Sequence, residues 1–197
     1  MAKADHTGVP VFLTSDRLAS LSDTMFGVAM TLVVTTLLPS IQAHRTSVLD
    51  IVRDMNGEII TVVLSFAISA RYWVAQQQRL ALTATVTPIQ TWLNLTFLFL
   101  IVLVPITTSL PGLAGASVTR ATVMIYGTHL FLIALVNLLL WLGVHRTVAS
   151  HRQIMRTSLV MAVLSVALVV GALRPDLALY VWFVALGAPQ MVRYLKA

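Results

Sequence analysis

The chain has 197 residues, 58% hydrophobic and only 10% charged, with a mean hydropathy of +0.89 and a net charge of +6. A soluble domain carries about 25% charged residues, so this is an integral membrane protein, and its positive balance is read as membrane topology and not as a nucleic-acid surface. With no cysteine, disulfides, thiol chemistry and cysteine-based metal sites are excluded.

Residues 1–16 hold only a short apolar patch around Val9 to Leu13. That is too short for a secretory signal core, and the segment is expected to be a cytoplasmic lead-in. Six apolar segments follow, at about 17–39, 57–80, 90–111, 119–143, 157–173 and 176–192. A crossing needs about 20 residues at about 1.5 Å rise. The expected fold is an all-α integral membrane protein, a single domain over 17–197 with six transmembrane helices. Pro105 predicts a kink in the third. The fifth and sixth, separated only by Arg174, Pro175 and Asp176, read as a tight hairpin. The connection 145–156 is the most basic, with Arg146, Arg152 and Arg156. With the N-terminus cytoplasmic, nine basic residues fall inside and four outside, and both termini lie on the cytoplasmic side of a cell membrane.

The first segment, RLASLSDTMFGVAMTLVVTTLLP, has Arg17 at its entrance and Asp23 inside it. A carboxylate at membrane depth costs several kcal/mol unless paired, so it marks a function or an important contact. Asp23 lies about 9 Å beyond Arg17, and Arg71 about 12 Å before the end of the second segment. Trp73 and Gln76 fall in the same layer, as does Asn94 near the start of the third segment. Asp23, Arg71, Trp73, Gln76 and Asn94, together with Arg17 and Ser22, form an expected polar cluster joining three helices. The alternative for Arg71 is to snorkel to the headgroups.

At 100° per residue, Thr24, Val28, Thr31 and Thr35 share one stripe of the first helix, with Arg17 at its mouth, while Asp23 points about 140° away from Val28. Small and hydroxyl side chains in a stripe suit close helix packing or a narrow pore, and spacing leaves both open.

Catalytic signatures are missing. No Gly-rich phosphate loop, His-Glu-x-x-His or Gly-x-Ser-x-Gly occurs. Neither an enzyme nor a cofactor is expected. His129, alone inside a span, reads as a packed hydrogen-bonding residue. The Thr-Val-Gly-Tyr-Gly filter of ordinary potassium channels is also missing.

Arg17-x-x-x-Leu21-Ser22-Asp23 resembles the Arg-x-x-x-Phe-Ser-Asp signature that opens the first helix of the transmembrane protein 175 family of endosomal and lysosomal potassium channels. Thr31, Ser65-Phe66, Tyr72-Trp73, Trp92-Leu93-Asn94-Leu95, Pro105 and Tyr126 extend the resemblance in order along the chain. It implies one six-helix repeat of the prokaryotic kind, assembled as a homotetramer in the bacterial plasma membrane, with first helices lining a central pore. On that pattern Val28 occupies the constriction, Thr31 the threonine position and Thr35 the next pore-facing position, with potassium as the permeant ion. Three departures stand out: Leu21 for Phe, Gln76 where His is frequent, and the smaller or more polar Val28 and Thr35 at apolar constriction positions. The competing readings are a secondary transporter or proton-coupled carrier using Asp23, and a membrane scaffold that conducts nothing.

Overall fold

The computed structural model describes residues 13–35, 56–83, 85–110, 119–144 and 148–174. Its elements in chain order are β1 (Leu13–Thr14), α1 (Ser15–Thr35), α2 (Asn56–Ala81), β2 (Thr85–Val86), α3 (Pro88–Val102), α4 (Val104–Ser109), α5 (Arg120–Leu142) and α6 (Val148–Leu173).

Local chemistry sets the helix starts. Thr87 caps α3 through a reciprocal box: Gln90 N donates to Thr87 Oγ1 at 3.4 Å, and Thr87 N donates to Gln90 Oε1 at 3.0 Å. Pro88 follows at the first helical position, where a missing N–H costs nothing. Thr119 and Thr122 cap α5 in the same way, at 3.2 Å for both bonds. The expected kink is present. Pro105 cannot donate to the preceding turn, so α3 stops at Val102 and α4 resumes at Val104, with the two together forming one stretch Pro88–Ser109.

α1 packs on α2, α3 and α4, α3 packs on α5, and α5 carries α6. The core lies where these meet, around Phe26, Ile68, Tyr72, Phe97, Tyr126 and Ile133. Phe97 is its hub: its ring centroid is 6.2 Å from that of Phe26 and 5.8 Å from that of Tyr72. At one end of the bundle β1 and β2 form a short antiparallel ladder, Leu13 opposite Val86 and Thr14 opposite Thr85. Beneath it Leu18, Leu80 and Val86 make a small second core. Ser15 Oγ donates to Thr83 O at 2.7 Å and fixes the start of α1 to the end of α2.

Six spanning helices are not what this structure has. With α3 and α4 counted as one kinked helix, the described residues form five helices. Four of them are long and apolar enough to cross a membrane: Ser15–Thr35, Pro88–Ser109, Arg120–Leu142 and His151–Leu173. α2 is not among these four, and its second half carries Arg71, Gln76, Gln77, Gln78 and Arg79. Segment 176–192 lies outside the described residues. The placement of both termini on one side rested on the six-span count and falls with it. The connection at 145–156 is also shorter than expected, since α6 begins at Val148 and carries Arg152 and Arg156 in its opening turns.

Candidate functional site

The buried residues of α1 are Leu18, Ser22, Phe26, Ala29 and Val33, a stripe of four- and three-residue steps. At 100° per residue Thr31 lies about 180° from the middle of that stripe. Thr24, Val28, Thr31 and Thr35 are all exposed, Val28 at 44%. A Cβ placed on Gly27 would meet nothing within 4 Å. No other described helix covers this face. Each threonine hydroxyl donates to a carbonyl of its own helix: Thr24 to Ser20 O at 3.0 Å, Thr31 to Val28 O at 2.9 Å and Thr35 to Leu32 O at 2.6 Å. With the hydrogen used internally, the oxygen lone pairs remain for whatever lies outside the helix. Arg17 is exposed at the Ser15 end.

The opposite face of α1 enters a polar network in the bundle interior. Ser22 Oγ donates to Leu18 O at 2.7 Å and accepts from Gln76 Nε2 at 2.9 Å. Gln76 Nε2 also reaches Asn94 Oδ1 at 2.5 Å, and Asn94 Nδ2 reaches Ser22 Oγ at 3.5 Å. Arg79 donates to the side-chain carbonyls of Gln76 and Asn94, the latter at 2.8 Å, and to Asn137 Oδ1 at 3.4 Å. Its guanidinium carbon stands 5.6 Å from the centroid of the Phe97 ring. The network thus joins α1, α2, α3 and α5, one helix more than the sequence suggested.

Asp23 has other partners. Asp23 is exposed and accepts from Trp73 Nε1 at 2.8 Å and from Gln77 Nε2, a second and outer tie between α1 and α2. Arg71 is half-buried. The buried cation is Arg79, only 3% exposed. Arg79 and Asn137 are the residues that sequence reasoning missed. A signal existed for both. Ser65, Ile68, Ser69, Tyr72, Gln76 and Arg79 follow one helical stripe of α2, and Asn137 is a lone amide among apolar residues of α5.

His129 is a packed hydrogen-bonding residue, as expected. It is buried, with Nε2 donating to Leu100 O at 2.9 Å and Nδ1 at 2.7 Å from Thr107 Oγ1. It therefore bridges the α3–α4 kink from α5.

The described residues contain no group of three or more His, Cys, Asp or Glu side chains able to hold a metal. Residues 17–105 match the family model described as endosomal/lysosomal potassium channel TMEM175. The matched stretch makes up just under half of the chain, which is similar to that family over this part. The match takes in α1, α2, β2, α3 and Pro105, and with them Ser22, Asp23, Gln76, Arg79 and Asn94. That model describes potassium channels, and four described helices of this chain are long and apolar enough to cross a membrane, as a multi-pass membrane protein requires. No curated protein and no solved structure matches it.

Proposed function

We propose that this chain is a channel of the TMEM175 kind that conducts potassium as a homotetramer in the bacterial plasma membrane, with four copies of α1 around the axis. Val28 makes the apolar constriction, Thr31 and Thr35 line the next turns, and Thr24 and Arg17 stand at the mouth. The observation that carries this reading is the uncovered face of α1. Among the described residues, the packing partners of α1 lie on the side of Leu18, Ser22, Phe26, Ala29 and Val33. The other side offers one valine and three threonines whose oxygens point their lone pairs outward. A ring of valines gates by dewetting, and pore radius with ion dehydration sets selectivity. Potassium is the permeant ion and not a resident cofactor. Asp23 acts as a tie between α1 and α2, and Ser22, Gln76, Asn94 and Arg79 hold the pore helix from behind.

The test is potassium flux into liposomes carrying purified Val28→Asn protein. A polar side chain at the constriction wets it, and flux is expected to rise on the order of tenfold, the effect of a barrier lowered by about 1.4 kcal/mol. Unchanged flux in a correctly assembled variant removes Val28 from the pore.

A further inference from the structure

The interior network leaves a charge unbalanced. Arg79 is 3% exposed, and its hydrogen-bond partners are three neutral amide oxygens, those of Gln76, Asn94 and Asn137. Among the described residues no carboxylate forms an ion pair with it. A buried cation without a counter-charge costs several kcal/mol even after partial solvation by dipoles. Three hydrogen bonds also do not exhaust a guanidinium, which has five N–H donors.

Arg79 also lines a cavity. It is half-open, about 20 Å³ in volume, and lined by Arg79, Thr83, Gln90 and Asn94 with apolar walls from Leu18, Leu80, Val86, Leu140 and Val144. A cavity of this size holds one water molecule or one monatomic ion. Its walls supply hydrogen-bond donors and a positive charge, and no carboxylate. Asn94 Nδ2 spends only one long bond, to Ser22, and an amide nitrogen has two hydrogens to give. Apolar walls lower the local dielectric and strengthen any charge pair formed inside. The place is the end of the bundle closed by the β1–β2 ladder, away from the uncovered face of α1.

We propose that this cavity binds one monatomic monovalent anion of the halide class, chloride being the abundant one, which neutralises Arg79. The anion accepts from the guanidinium and from the Asn94 amide and fits where a polyatomic oxyanion does not. It is a structural counter-ion that links α1, α2, α3 and α5, and it is independent of the potassium path.

The experiment is thermal unfolding of the detergent-purified full chain in potassium chloride, potassium bromide or potassium gluconate at equal potassium concentration. The midpoint is expected to rise saturably with chloride and bromide, by on the order of 3 °C at ten times the dissociation constant, and not with gluconate. Gln90→Glu places a carboxylate in the cavity lining while keeping an oxygen for the Thr87 cap, and is expected to abolish the halide dependence. Arg79→Gln is expected to abolish it too, and if that variant does not fold, Gln90→Glu alone decides. Crystals grown in bromide should show an anomalous peak beside Arg79. Equal midpoints in chloride and gluconate, or a halide effect retained in Gln90→Glu, overturns the proposal and leaves water as the occupant.

Discussion

The amide of Gln76 donates to the hydroxyl of Ser22 at 2.9 Å across the α1–α2 interface, and both residues are fully buried. Through this pair the pore helix is tied to Asn94 of α3 and to Arg79, and through Arg79 to Asn137 of α5. Because the contact is dry, its loss cannot be made good by solvent.

Gln76→Ala is therefore expected to be strongly destabilising. It leaves Arg79 and Ser22 each short of a partner, at about 1–3 kcal/mol per orphaned group and more for the charged one. Thermal unfolding of the purified protein measures this, and Gln76→Glu offers the informative comparison. Glu keeps an acceptor for Arg79 but loses the donor to Ser22 and Asn94, so it should recover part of the loss. A wild-type midpoint for Gln76→Ala would show that the network does not hold the bundle.

Asp23→Asn keeps an oxygen for Trp73 and Gln77, so assembly and potassium flux are expected to stay at wild-type level. Asp23→Ala removes the acceptor from Trp73 Nε1, which should change the tryptophan emission and lower the yield of assembled protein. A proton-coupled carrier built on Asp23 behaves differently: its flux disappears in Asp23→Asn. Liposome flux with a proton-sensitive dye separates the two.

Val28→Phe should act opposite to Val28→Asn. A bulkier apolar ring narrows and dries the constriction, so potassium flux should fall on the order of tenfold with unchanged oligomer size. A potassium-against-sodium flux ratio on the same liposomes reports whether selectivity follows pore radius.

Ser65 and Ser69 are buried on α2 with hydroxyls that have no hydrogen-bond partner among the described residues. Alanine at either position removes a buried polar group that makes no bond. The expected effect is neutral to stabilising, about 0.5–1 kcal/mol in favour of the variant. Thermal unfolding checks it, and a loss of stability at both positions would mean these hydroxyls are satisfied in the assembled protein.

His129→Leu should loosen the α3–α4 kink. It keeps the volume but removes the bonds to Leu100 O and Thr107, at a cost of about 1–3 kcal/mol. α4 packs on α1 and α2, so altered flux alongside lower stability would show that the kink positions the pore helix.

Several features were legible in the sequence for direct reasons. Composition decides membrane residence, because an apolar surface of this extent has no stable place in water. Pro105 decides the break between α3 and α4, because a proline has no N–H to give. The 3.6-residue repeat separates the two faces of α1, so Ser22 could be set apart from Thr24, Val28, Thr31 and Thr35. Helical rise brought Gln76 and Asn94 to the same depth, and they do meet. What rise and period do not contain is the rotation of one helix against another. That rotation turned Asp23 outward to Trp73 and Gln77. It carried Arg79 into the interior against Asn94, Asn137 and Phe97. The second half of α2 is polar because its amides and its arginine serve the inside of the bundle, a use that becomes visible only when the helices are in contact.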